Sequence, residues 1–405
     1  MKFSKLSQLF LVSSIGLLVA SLLTSCEIVT IDYLFVANSA GSGTSSTGQI
    51  ETYDVDSETG TLRTGQPIVA SGGTNPVSMA VTSDYANLYV ANAGNSSVVH
   101  FALSGSGVLT QKDEVTAIST PVAIAVNAAN TYLYVVSGTT SATITAYSLS
   151  SGTIGSVVSQ ETLTVPGYSS DTILPTGVNV LANSEAVYVT AYDQSAYNPG
   201  GTTTPTSTAN PGWVFGFAVG SGGALSAASG SPYKAGVKPS AIASDPTNRF
   251  VYVTDFASNQ LIGYTVQSGS VLDFLINGPF KTGNEPASIA IDPRGLYIYV
   301  ANSLDSTVTA YTISLATGTP TAVVNVVGNS LNQTDTQPVA ILVDAALGRF
   351  VFTANHLGDS ISGFQLNPNT GALKSTLATP FPTGSAPAAL ASVPHGNHSI
   401  ESVTP

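Results

Sequence analysis

The chain has 405 residues, a formal net charge of −12 and a pI of about 4.5, with 43% hydrophobic and only 8% charged residues. Hydrophobicity at this level excludes a disordered chain, and the acidic balance without a basic stripe excludes binding to a phosphate backbone. A single cysteine excludes any intrachain disulfide contribution to stability.

Residues 1–26 read as a secretory leader. Lys2 and Lys5 form a charged start, and Leu9 to Leu23 is an apolar segment too short for a comfortable membrane span. Leu23-Thr24-Ser25-Cys26 resembles the lipobox of bacterial lipoprotein signal peptides, in which cleavage falls before a cysteine that is then acylated. The alternative is an ordinary secreted protein with a buried thiol. Acylation predicts an exported protein anchored to a bacterial membrane without spanning it, facing the periplasm or the cell surface. Loss of Lys2 and Lys5 with the leader leaves nine basic against 23 acidic residues, a net charge of −14.

Residues 27–394 are built from one repeat, seen most plainly between Pro286 and Tyr311. Its pieces are Pro286 to Pro293, Leu296 to Asn302 and Thr307 to Tyr311, short runs of alternating or clustered apolar residues separated by turn residues, which predicts three antiparallel strands. The first piece recurs seven times, at Pro76, Pro121, Pro175, Pro239, Pro286, Pro338 and Pro387. The second is centred on Phe35, Tyr89, Tyr134, Tyr188, Tyr252, Tyr299 and Phe352, and the third carries Tyr53, Phe101, Tyr147, Phe217, Tyr264, Tyr311 and Phe364. Asp245-Pro246, Asp292-Pro293, Asn127 and Asp344 end first strands, where an Asx side chain starts a turn. Gly269, Gly318 and Gly371 follow third strands, where the chain turns into an outer fourth strand.

The array starts in its second piece, at Tyr33 to Asn38, and supplies the missing first piece at its other end, at Pro387 to Val393. Such an offset closes a ring. The predicted fold is therefore all-β: a seven-bladed β-propeller of four-stranded antiparallel blades, shut by pairing of N- and C-terminal strands. An open solenoid is the other architecture, but neither end carries a polar capping repeat. Residues 395–405, with His395 and His398, are expected to form a flexible tail. Blade 4 carries a long Thr/Pro/Gly insertion, Tyr192 to Pro211, and blade 1 a shorter one, Ser39 to Gly48, both between second and third strands.

Tyr89-Val90-Ala91-Asn92, Tyr252-Val253-Thr254-Asp255 and Tyr299-Val300-Ala301-Asn302 resemble the YVTN repeat, and residues 31–394 resemble the lactonase-like propeller family. That family's enzymes include a bacterial 6-phosphogluconolactonase and fungal muconate-lactonising enzymes, so the resemblance implies lactone chemistry as one function. It also implies Arg and His directly after the first-strand proline. The chain has Ser240-Ala241, Ala287-Ser288 and Val339-Ala340 there, which argues against that chemistry.

In a propeller, loops entering the first strand share a face with loops leaving the second. That face collects Asn75, Thr120, Leu174, Lys238, Glu285, Gln337 and Ala386 before the prolines, and Asn38, Asn92, Asp255, Asn302 and Asn355 after the second strands. Lys238, Asp255, Glu285, Asp305, His356 and Asp359 would form one polar cluster. For a hydrolase, His356 with Glu285 or Asp255 would be the base and Lys238 the oxyanion partner. For a binding protein, Asn92, Asp255, Asn302, Asp305, Asn355 and Tyr192 would contact the ligand; the alternative for each Asn and Asp is a local backbone bond that shapes its loop.

His100, beside Phe101 on a third strand, is expected on a sheet face away from this mouth, and Trp213 between adjacent blades. No metal spacing, phosphate-binding loop or nucleophile elbow occurs, and no cofactor is expected. The expected function is a monomeric cell-envelope lipoprotein that binds a small ligand, a glycan or an envelope protein on its upper face. Lactone hydrolysis and a passive envelope spacer are the alternatives.

Overall fold

The computed structural model describes residues 29–39, 47–116, 119–166, 172–194, 211–324 and 331–396. Residues 1–28, on which the expected leader and the expected acylation site Cys26 fall, most of the two insertions and His398 lie outside the described residues.

Seven antiparallel sheets form the propeller. In blade 5 the order from the axis outward is Pro239–Ser244, Phe250–Asp255, Gln260–Gln267 and Val271–Phe274. The other blades repeat it, with innermost strands Pro76–Val81, Pro121–Val126, Ile173–Val180, Pro286–Ile291, Pro338–Val343 and Pro387–Pro394. Each innermost strand touches the next, from blade 1 through blade 7 and back again. Blade 1 closes the ring as expected: Tyr33 pairs with Val393, Phe35 with Ala391 and Asn38 with Pro387. His395 prolongs this seam rather than starting a tail, since its N–H donates to the Ile31 carbonyl and its Nδ1 to Thr30 O.

The fourth strand departs from the simple expectation. It is continuous in blades 2 and 3, as Leu109–Val115 and Thr153–Thr162, but in blades 1, 4, 5, 6 and 7 it splits into two short pieces that each pair with the third strand.

Second strands are wholly buried in most blades because both their faces pack on neighbouring sheets. The repeat aromatics form the joints. The hydroxyl of Tyr252 donates to Gly318 O at 2.6 Å and that of Tyr299 to Gly371 O at 3.0 Å, each in the following blade. Tyr89 and Tyr188 do the same to Gly152 O and Ser270 O. Gly318 and Gly371 have φ of +71° and +72°, and a Cβ on either would come within 2.3 Å of the Phe250 or Tyr297 ring of the preceding blade. Glycine is required there both for the turn and for the close approach. Trp213 is buried in the cluster shared by blades 3 and 4, as expected.

Candidate functional site

One hydrogen bond ties the entry and exit loops of every blade. The donors are the N–H groups of Ser39, Ala93, Gly138, Gln194, Phe256, Ser303 and His356; the acceptors are the carbonyls of Ala386, Asn75, Thr120, Thr172, Lys238, Glu285 and Gln337. The two loop sets therefore share one face, as expected, and it forms the mouth of the channel. Blade 4 corrects one position. Its inner hairpin continues for two further pairs, Leu174 with Tyr192 and Ile173 with Asp193, so Thr172 rather than Leu174 takes the entry place.

The Asn and Asp residues that end second strands are not surface groups. Asn92, Asp255, Asn302 and Asn355 are fully buried. Asp255 accepts the N–H groups of Val237 and Lys238 at 2.9 Å each, and the Gln260 amide. That occupation removes it as a base. Asn92 bonds Ser71, Asn302 donates to Thr307 and Thr309, and Asn355 donates to Ser360 and Ser362. All four hold loops in place, and in this conformation none presents an exposed atom to a ligand. Asp193, the buried counterpart in blade 4, was not legible because the insertion obscures where the strand ends. Asp305 and Asp359 accept the backbone N–H groups of Asn284 and Ala386, fixing the entry loops of blades 6 and 1.

Lys238, Glu285 and His356 are half-buried at the mouth. The Lys238 ammonium lies 4.4 Å from the ring centroid of Phe256 and 5.5 Å from that of Tyr192, within cation–π range of both. The two-pair extension of blade 4 is what carries Tyr192 to this place. Burial pushes the Lys238 amine down from its ordinary value, and the Glu285 carboxylate in the next blade opposes that shift. Glu285 itself has a φ of +53°, a sparsely populated conformation for a residue with a side chain, held by a bond from its N–H to Asn259 Oδ1 and by the Ser303 N–H on its carbonyl.

His356 Nδ1 lies 3.2 Å from the Pro387 carbonyl, which can only accept. The proton is thereby assigned to Nδ1, leaving Nε2 as the basic atom. Lys238 and Glu285 thus occupy the entry places of adjacent blades 5 and 6, and His356 leaves the second strand of blade 7 with its N–H on the Gln337 carbonyl. Phe256 is a site residue that sequence reasoning missed. It holds the same place after Asp255 that His356 holds after Asn355, and that equivalence was the available signal.

Below the mouth, the channel wall formed by the innermost strands contains no charged residue. Where the family resemblance implied Arg and His, small residues stand. Ser240 Oγ donates to Pro286 O at 2.6 Å and Ser288 Oγ accepts the Ile341 N–H, so both hydroxyls stitch adjacent blades. His100 is buried in blade 2, stacked on Tyr89 and bonded to Asp113 and Asn87. Among the described residues no group of three or more His, Cys, Asp or Glu side chains is arranged to hold a metal ion.

The sequence profile of the family described as Lactonase, 7-bladed beta-propeller, matches residues 44–170 and 104–398. The chain belongs to this lactonase propeller family. No curated protein matches it. Among solved structures, the periplasmic gluconolactonase of Pseudomonas aeruginosa superposes with a TM-score of 0.72 at 18% identity, covering 91% of this chain and 100% of that one. A candidate 6-phosphogluconolactonase from Bacteroides uniformis gives 0.71 at 18%, covering 90% and 100%, and one from Bacteroides fragilis 0.71 at 17%, covering 91% and 99%. At such identities the likeness establishes the shared fold, while activity is decided by the residues at the site.

Proposed function

We propose that this lactonase-family propeller binds a small oxygen-rich ligand of the sugar-acid or sugar-lactone class at the mouth of its channel, between blades 4 and 7. The observation that carries this reading is Lys238, held by Tyr192 and Phe256 with the Glu285 carboxylate in the adjacent blade. A desolvated ammonium binds a ligand carboxylate or carbonyl more strongly than an exposed one, and the aromatic faces give a sugar ring an apolar surface. Titrating residues 27–405 with gluconate by calorimetry is expected to show saturable binding, weakened about tenfold or more in Lys238→Ala. Equal affinity in the variant would remove Lys238 from the reading.

Lactone hydrolysis is the second reading, supported by family membership and by His356. In it Lys238 stabilises the developing oxyanion, and Glu285 or His356 Nε2 activates water. Ring opening of glucono-1,5-lactone above the spontaneous rate, lost in Glu285→Gln or His356→Gln, would establish it. A rate equal to the uncatalysed one would leave a binding protein.

The lipobox resemblance supports a membrane anchor through acylated Cys26. Cys26→Ser is expected to move the protein from the membrane fraction to the soluble one and to change its electrophoretic mobility; unchanged fractionation would refute acylation at this cysteine.

A further inference from the structure

The outer rim of blade 5 lacks a hydroxyl that blades 4 and 7 carry at the same place. Blades 4, 5 and 7 share a detail where the fourth strand splits. A third-strand glycine, Gly216, Gly263 or Gly363, pairs with the central aromatic of the second strand, and its carbonyl accepts the N–H of Ala228, Leu275 or Thr376. In a strand the N–H and C=O of one residue point to the same side, so each glycine N–H also faces outward. In blade 4 that N–H donates to Ser231 Oγ at 3.0 Å, and in blade 7 to Thr379 Oγ1 at 2.9 Å. Ser231 and Thr379 precede the prolines Pro232 and Pro380. In blade 5 the residue before Pro279 is Gly278, which has no hydroxyl.

Among the described residues no acceptor replaces that hydroxyl. Gly263, buried within the sheet, forms part of the lining of a cleft of about 430 Å³ on this outer side. A buried N–H without an acceptor costs free energy comparable to a lost hydrogen bond, so this place selects for an oxygen from outside the chain. The other walls define what carries the oxygen. Phe274 is 58% exposed yet held against Tyr264 at 5.0 Å, giving a fixed aromatic face, and Ile262, Leu275 and Pro279 are apolar. Lys234 and Gln260 complete the lining, with the Gln260 amide nitrogen held by Asp255.

We propose that this rim cleft is a second ligand site, separate from the mouth, that takes a pyranose unit. A ring oxygen or hydroxyl would accept from Gly263 N–H in the place of the Ser231 and Thr379 hydroxyls, with the sugar ring on Phe274. Lys234 favours a carboxylated sugar.

Gly278→Ser restores the missing hydroxyl and so tests the site. Gly278 has a φ open to any residue, and a Cβ there meets only ordinary contacts, the nearest at 3.4 Å from Phe280. In the parent protein, D-glucuronate is expected to shift the Gly263 amide resonance in a saturable way. Gly278→Ser should raise the melting temperature by about 1–3 °C and weaken glucuronate binding at this site about tenfold or more. Lys234→Ala should weaken binding without raising the melting temperature. Glucuronate that leaves the Gly263 resonance unmoved at millimolar concentration, or binds Gly278→Ser as well as parent, would overturn the proposal. A stabilised Gly278→Ser with no saturable binding in the parent would assign the place to a bound water and overturn it equally.

Discussion

Removing residues 385–405 is expected to lower the melting temperature by roughly 5–10 °C, far more than an ordinary terminal trim. The deletion takes away the whole innermost strand Pro387–Pro394 and leaves Tyr33 to Asn38 as an unpaired edge. That strand is anchored on both sides of the closure. Val393 and Ala391 pack in the cluster shared by blades 1 and 2, while Leu390 packs on the cluster shared by blades 7 and 1. Gly384 N–H also donates to Glu51 Oε1 at 2.8 Å across this junction, and the Tyr53 hydroxyl reaches Pro382 O. Losing the apolar burial and the backbone bonds together costs on the order of 5 kcal/mol. Closing so long a chain is tolerable because loop entropy rises only logarithmically with length. Thermal melts of the truncated and full-length proteins side by side check this, and equal midpoints would mean that the closure contributes nothing to stability.

A second large effect is expected in the opposite direction. Asp32 is fully buried in blade 1 and faces Asp344 of blade 7, and neither of its carboxyl oxygens receives a well-aligned hydrogen bond. Burial first, and then the charge of Asp344, hold the Asp32 carboxyl well above the ordinary carboxylate range. Asp344 accepts backbone N–H groups from Leu347, Arg349 and Phe350, so Asp32 is the partner that keeps the proton. Because the folded value is raised, the stability this proton confers is complete below the unfolded value of about 3.9 and is lost as pH rises through the folded value. Asp32→Asn carries a permanent N–H donor to Asp344 and cannot ionise. It should stabilise the protein by about 1–3 kcal/mol near pH 8, and the advantage should shrink steadily toward pH 4. Melting curves of both proteins between these pH values test the sign; a variant less stable than parent at pH 8 would show that Asp32 is needed as a carboxylate.

Proline-to-aromatic spacing along the chain was enough to place strands, count blades and foresee closure. The reason is that each blade is a local antiparallel unit, and its pattern of buried and exposed positions is written in consecutive residues. The resemblance of Leu23 to Cys26 to a lipobox likewise rests on the sequence alone. At the mouth the sequence offered two readings for each Asn and Asp, a ligand contact or a local bond that shapes its loop, and could not choose the partners. Asp255, Asn302 and Asn355 turn inward because loop N–H groups and third-strand hydroxyls need partners there. Lys238 meets Tyr192 only because the blade 4 hairpin runs two pairs longer, and the Asp32–Asp344 pair exists only because the ring shuts. Gly278 looks like any turn glycine until Ser231 and Thr379 are seen bonded at the same place in blades 4 and 7. Such contacts join residues brought together by the stacking of neighbouring sheets around an axis. No periodicity within a single blade encodes them, so they were decided by tertiary structure.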